Sequence, residues 1–212
     1  MSAKADPLGW QVLAMSVTTG VTIANVYYCQ PILSQIAGSL ALTDVQIGIL
    51  PALTQAGVGL GLLFLAPLGD MVDRKKLIIC LEVLLSITLV GMAVSESLAG
   101  LYVASFLIGT FAVAVQIVVP MAASMASPET KGKVVGTVFT GTLTGILLSR
   151  IASGYLVDWL GWRSIYGASA ALALLISVVV NSVLPNQPGK HAGSYRALMQ
   201  STFFQFARFA KL

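Results

Sequence analysis

The chain has 212 residues, of which 57% are hydrophobic and only 9% are charged, and its formal net charge is +4. A soluble domain carries roughly a quarter charged residues, so this composition excludes an ordinary soluble protein and indicates an integral membrane protein. The small excess of base does not indicate nucleic-acid binding, because the bases fall in short segments beside apolar runs, where membrane topology accounts for them.

The apolar runs predict six transmembrane helices. A span needs about 20 predominantly apolar residues, and backbone hydrogen bonding in lipid requires such a span to be helical. The segments that qualify are 9–36, 45–68, 77–94, 98–126, 134–156 and 164–184. We therefore expect an all-α membrane protein with a short N-terminus (1–8), a six-helix bundle (9–184) and a basic, Phe-rich tail (185–212) that either lies on the membrane surface as an amphipathic helix or is a frayed or truncated end.

The loops between these runs predict the orientation. On one side lie Lys4, the Arg74-Lys75-Lys76 turn, Lys131, Lys133 and the bases of the tail. The other side carries Asp44, Glu96 and Asp158, with Arg163 as its only base. Because Lys and Arg beside a span stay on the cytoplasmic side, both termini are expected to be cytoplasmic.

A dense charged turn, residues 69–76, separates the second and third runs. Within it, Gly69 and Asp73 are four residues apart, and Gly154 and Asp158 repeat that spacing at the end of the fifth run. The first pair falls at the cytoplasmic face and the second at the outer face. Matching motifs at corresponding helix ends on opposite sides predict two three-helix repeats of inverted topology, a common transporter construction.

These motifs carry a family resemblance. The turn Gly69-x-x-x-Asp73-Arg74, closed by Lys75 and Lys76, resembles the signature loop between the second and third helices of the major facilitator superfamily. Segment 154–163, which includes Gly154, Asp158 and Arg163, resembles the join between that family's fifth and sixth helices. Segment 24–31 is similar to the first helix of its bacterial efflux-type members. The resemblance implies the N-terminal half of a twelve-helix transporter in a bacterial cytoplasmic (inner) membrane.

The sequence departs from the family pattern in two places. Lys75 follows Arg74 directly, without the two residues that usually separate the Asp-Arg pair from its closing bases. The fourth helix has Ser105-Phe106 where many members have an Arg linked to proton transfer. The resemblance still implies that Asp73 and Arg74 brace this bundle against a second one, with Gly69 permitting close helix approach; the alternative is that Arg74, Lys75 and Lys76 only set topology.

Polar residues within the spans are candidates for the substrate pathway. By the resemblance, Asn25, Tyr28, Gln55 and Gln116 line a central cavity, although interhelical hydrogen bonds are the competing role. Arg150 binds an anionic group, pairs with a carboxylate or extends towards the outer face. Glu82 either carries a coupled proton or reaches the interface or a neighbouring helix.

The fifth helix carries four small residues at four-residue spacing: Gly141, Gly145, Ser149 and Ser153. Such a strip lets another helix approach closely. The resemblance also connects a Gly-rich fifth helix with exporters that exchange substrate for protons. Plain helix packing is the favoured interpretation, because the Pro that usually follows the Gly is missing.

Together these features predict a secondary transporter of small organic solutes, most simply proton-coupled efflux by alternating access. It would need no cofactor or metal, and its partners would be the substrate, the lipid bilayer and a second six-helix bundle, supplied by a missing half or a dimer mate. The alternative is a non-transporting remnant or a half-transporter. An intramembrane enzyme is disfavoured, because an intramembrane serine protease needs a base beside its nucleophile and the only histidine, His191, lies in the tail.

Overall fold

The computed structural model describes Pro7 and residues 9–189, so Lys4 and tail residues 190–212, with the predicted surface helix, lie outside the described residues. The helices are α1 Gly9–Tyr27, α2 Cys29–Leu40, α3 Asp44–Phe64, α4 Arg74–Ala93, α5 Leu98–Phe111, α6 Ala114–Met125 and α7 Lys131–Val183. A 3₁₀ turn, Ala66–Asp70, links α3 to α4. The described part of the chain is otherwise turns and loops, in agreement with the all-α prediction.

The helices correspond to the six predicted spans. Four stretches are long and apolar enough to cross a membrane, namely Asp44–Asp70, Arg74–Ala93, Leu98–Met125 and Lys131–Val183, and the bent pair α1–α2 counts as a fifth. The 53-residue α7 is broken at Gly161, which has φ 72° and ψ 157°. Its two parts, α7a (131–160) and α7b (162–183), are each long enough for a span at about 1.5 Å per residue.

The first span bends three residues before Pro31, between α1 and α2. The axes of α1 and α2 differ by 41°, and the break is at Tyr28 rather than at the proline. Proline has no N–H to bond the carbonyl four residues earlier, and its ring clashes with that carbonyl. The disturbance therefore falls upstream, next to Tyr27, and Pro31 itself sits in the first turn of α2.

Two seams of backbone contact join the helices. In the first, between α3 and α5, a Cβ on Gly57 would collide with Phe106 O, and one on Gly109 would collide with Thr54 O. The second seam joins α1 to α7a, where a Cβ on Gly141 would collide with Ser16 O. Here α3 is the second span and α5 begins the fourth, whereas α1 begins the first span and α7a is the fifth. An inverted repeat relates the second span to the fifth and the fourth span to the first. The two seams are therefore equivalent and support the inverted-repeat prediction.

The apolar core has two parts with a polar layer between them. One cluster contains Met15 and Leu81, and the other contains Ile32 and Leu85. Along α4, Glu82 falls between the two clusters and is fully buried. The bundle therefore encloses a polar group at the point where both apolar clusters end.

Candidate functional site

The charged turn is held by the Arg74 side chain. Its Nε donates to Gly69 O at 2.9 Å, and its Nη2 pairs with Asp70 Oδ1 at 2.8 Å. A Cβ on Gly69 would come within 3.2 Å of Ile117 Cγ2, so a small residue lets this turn lie against α6. Asp73 caps α4, where its Oδ1 accepts from Lys76 N at 3.1 Å. An Asp at this position satisfies a helix N–H that would otherwise have no partner.

Arg74 also reaches across to α6 and to the segment after α7. Its Nη1 donates to Ser124 Oγ at 3.3 Å. Its backbone N–H donates to Gln187 O at 3.0 Å, and Ser124 Oγ donates to Gln187 Oε1 at 2.9 Å. The turn is thus tied to α6 and to the segment after α7, contacts that the local sequence pattern does not indicate. Bracing against a second bundle by Asp73 and Arg74 stays a prediction.

The repeated motif forms a second network at the opposite end. Asp158 Oδ1 accepts from Gln35 Nε2 at 2.7 Å. Arg163 Nη2 donates to Ser95 O at 2.9 Å, and its guanidinium lies 4.2 Å from the Trp162 ring centroid. Gly154 packs at α2, where its Cβ position is 3.5 Å from Pro31 Cβ. Each end of the bundle therefore has an arginine that bonds a backbone carbonyl of a neighbouring segment.

The polar layer lies where α1, α4 and α7b meet. Glu82 Oε1 is hydrogen-bonded to the Thr22 hydroxyl of α1, so this fully buried side chain reaches a neighbouring helix. Ser169 of α7b donates to Asn25 Oδ1 at 2.5 Å, while Ser86 of α4 donates to Ala170 O at 2.8 Å. Asn25 is only 2% exposed. Its geometry is that of an interhelical hydrogen bond, the alternative to cavity lining named above.

A groove of about 400 Å³ runs between α1 and α7a. Its polar lining residues are Ser16, Tyr28, Thr140, Thr144 and Ser149, and Gly20, Gly141 and Gly145 form part of its floor. Tyr28 is thus a predicted pathway residue that lines a cavity. Hydroxyl groups on a largely apolar wall suit an amphipathic organic molecule, because ligand pockets combine apolar lining with a few polar groups.

The remaining candidates lie at the surface of the described bundle. Arg150 is exposed, and its guanidinium is 5.4 Å from the Tyr27 ring centroid, which is a cation–π contact. Gln55 is exposed on α3. Gln116 lines a small cavity of about 110 Å³ beside Arg74. Arg150 and Glu82 have separate partners, the Tyr27 ring and the Thr22 hydroxyl.

The strip on the fifth span is a packing surface at its glycines. Gly141 and Gly145 contact the α1 backbone at Ser16 and Gly20. Ser149 is buried and donates to Ile146 O at 2.8 Å. Ser153 is buried as well, and its Oγ has no hydrogen-bond partner among the described residues. Among the described residues, no three His, Cys, Asp or Glu side chains come together as a potential metal site.

Thr22, Ser86, Ser169 and Gln187 take part in these networks but are not among the predicted site residues. A signal existed for the first of these, since Thr18, Thr22 and Asn25 are spaced four and three residues apart and so share one face of α1. The other three are single polar residues, and nothing in their local pattern indicates which helix they contact.

Comparisons with known proteins agree with this architecture. Residues 15–207 match the family model described as Major Facilitator Superfamily. The chain is 38% identical over 195 residues to the Uncharacterized transporter YgaY of Escherichia coli O157:H7, covering 92% of this chain and 50% of that protein. It is 30% identical over 179 residues to the Probable transporter SCO4007 of Streptomyces coelicolor, covering 84% of this chain and 42% of that protein.

Solved structures show the same fold. A bacterial homologue of the human lysosomal transporter Spinster, inward-facing and occupied, superposes with a TM-score of 0.72 at 15% identity, covering 86% of this chain and 45% of that one. The POT family transporter PepTSo gives 0.68 at 15% identity, covering 88% of this chain and 40% of that one. The chain spans about half the length of the curated relatives it matches. It belongs to the major facilitator superfamily and has the fold of its transporters.

Proposed function

We propose that the chain is one bundle of a secondary transporter that exports small organic solutes by alternating access, driven by the proton gradient. The observation that carries the proposal is the groove between α1 and α7a, which has polar groups in an apolar wall and is open on its other side. An alternating-access cycle needs two bundles that rock about a central site. The half-length match to transporter relatives supports a second bundle as the missing wall.

The two charged ends support the proposed orientation in an inner membrane. Arg74 at the start of α4 lies beside Ser124 at the end of α6, and α7 begins at Lys131. These basic positions therefore belong to one end of the bundle. Asp158 and Ser95 lie at the opposite end of the bundle. Under the positive-inside rule, the Arg74 end faces the cytoplasm and both termini are cytoplasmic.

Thiol labelling tests whether the groove is part of the transport path. We would replace Cys80, which is exposed, by Ser in the assembled transporter, and place a single accessible cysteine at Thr144 in the groove. A membrane-impermeant thiol reagent should modify Thr144→Cys, and transported solute should protect it. The matched control is Leu175→Cys on α7b, an exposed apolar position that is expected to face lipid.

The outcomes separate the groove from the lipid-facing surface. The proposal predicts that Leu175→Cys stays unmodified while Thr144→Cys reacts from the aqueous phase. If Thr144→Cys is as unreactive as the Leu175→Cys control from both sides of the membrane, the groove faces lipid and is not a solute wall. A chain that never assembles with a second bundle would instead support the alternative, a non-transporting half.

A further inference from the structure

Glu82 is the fully buried acid of the polar layer. Its Oε1 contacts the hydroxyl of Thr22 on α1, whereas its Oε2 has no hydrogen-bond partner among the described residues. A buried carboxylate without partners is costly, and a carboxyl group that carries a proton gains a donor. The site therefore has both a group that can hold a proton and a neighbour that can respond to it.

Thr22 has one hydroxyl hydrogen but two acceptors within reach. Its Oγ1 is 2.6 Å from Thr18 O, the carbonyl one turn earlier in α1. The same atom contacts Glu82 Oε1. A hydroxyl can donate only one hydrogen bond while accepting others. The single hydroxyl hydrogen can point fully at only one of the two acceptors, so two full hydrogen bonds require the carboxyl itself to supply a proton.

We propose that Glu82 and Thr22 form a proton-binding site in which the hydroxyl of Thr22 changes partner with the charge of Glu82. When Glu82 is ionised, Thr22 donates to its carboxylate. When a proton binds, the Glu82 carboxyl donates to Thr22 Oγ1, and Thr22 donates back to Thr18 O. The inference rests on the proposed function, because it names the group that would take up the coupled proton.

The change of partner acts on the helix that lines the groove. A threonine that donates to the carbonyl one turn earlier tends to bend its helix. Gly20 and Tyr28, on either side of Thr22 in the sequence, line the groove between α1 and α7a, and α1 ends at the 41° bend. Proton binding at Glu82 therefore changes the hydrogen bonding of α1 next to the wall that would contact solute.

Other titratable groups on the elements packed against α4 have their own contacts or lie at the surface. Those engaged elsewhere are Asp70 with Arg74, Tyr27 with Arg150, Tyr102 with Gln46 O, Asp158 with Gln35, Arg163 with Ser95 O and Tyr166 with Trp162. Lys131, Lys133 and Tyr155 of α7 are exposed, and α6 contains no titratable side chain. The group that faces Glu82 by direct contact is the Thr22 hydroxyl.

Infrared difference spectroscopy tests this site on the whole chain in lipid nanodiscs. As the pH is lowered, the carbonyl stretch of a protonated buried carboxyl should appear, and Glu82→Gln should remove it. Thr22→Val should shift the band because the hydrogen bond is lost, while Thr22→Ser should restore the wild-type position. Two controls should leave the band unchanged: Thr88→Val, which removes a back-bonding hydroxyl elsewhere on α4, and Glu96→Gln, which removes an exposed acid.

The readout does not depend on transport, so it can fail separately from the proposed function. A band that persists in Glu82→Gln, or a Thr22→Val spectrum identical to that of Thr88→Val, overturns the proton site. Loss of the band on adding Na⁺ at constant pH would also overturn it, because the ligand would then be a metal cation. If Glu82→Gln does not fold, the Thr22→Val and Thr22→Ser variants still test the proton site, since both retain the Glu82 carboxyl. If the bands behave as expected but the assembled protein transports no solute, the proton site stands and only the proposed function is overturned.

Discussion

Gly145 of α7a lies against the backbone of Gly20 in α1, and a Cβ on Gly145 would overlap Gly20 O. Such contact is possible only where neither residue carries a side chain between the two helices. Without a hydrophobic force between helices in lipid, close van der Waals packing is a main source of their association. The two-glycine contact therefore fixes the distance between the helices that form the groove.

Gly145→Ala should destabilise the bundle. Its methyl group would force α1 and α7a apart, and overpacking of this kind costs about 1–3 kcal/mol. Thermal unfolding in detergent measures the loss. The matched control is Gly136→Ala on the same helix, where the added Cβ meets nothing within 4 Å. Equal melting temperatures for the two variants would show that the contact at Gly20 is not tight.

Gly161→Ala should also destabilise, for a reason of backbone conformation. A φ of 72° with a ψ of 157° is in a region essentially restricted to glycine, and forcing another residue there costs on the order of 1–3 kcal/mol. The variant should unfold at lower temperature than Gly167→Ala, a helical position of α7b with free space around the Cβ. A wild-type melting temperature for Gly161→Ala would mean that the break between α7a and α7b is not fixed at this residue.

Arg74→Lys separates topology from a specific role of the guanidinium. Lysine keeps the positive charge, so the orientation of the helices should not change. It cannot reproduce a planar fork that contacts Gly69 O, Asp70 and Ser124 together, and we expect a loss of about 1–3 kcal/mol in stability and reduced transport in the assembled protein. Lys76→Arg, at an exposed position, serves as the control. Unchanged stability and transport in Arg74→Lys would leave this residue with the topological role only.

Gln187→Ala should loosen the segment that follows α7b. The side chain accepts from Ser124 Oγ, and the backbone carbonyl accepts from Arg74 N. Losing the side-chain bond should cost about 1 kcal/mol and speed hydrogen exchange at the Arg74 amide. Asn186→Ala, at the exposed neighbour, should leave that exchange rate unchanged. The same protection factor in both variants would contradict a link between this segment and the turn.

The sequence predicted the spans within a few residues, because apolar length and helical geometry set them directly. It marks the bend of the first span only approximately, through Pro31, which acts on the carbonyl of Tyr27 so that the break appears upstream. It did not predict the pairing of Thr22 with Glu82, which are 60 residues apart in the chain. Contacts of that kind depend on how the helices are rotated against one another, and a single sequence does not state that rotation.

The proposed function requires a second bundle. The most direct measurement is proton-gradient-driven flux of a panel of organic cations and anions in proteoliposomes. One sample would contain the chain alone, and the other the chain joined to the C-terminal half of its 38% identical relative. We expect no flux above empty liposomes for the chain alone and gradient-dependent flux for the joined protein. Gradient-driven flux by the chain alone, shown to be monomeric by cross-linking in the same membranes, would contradict the account.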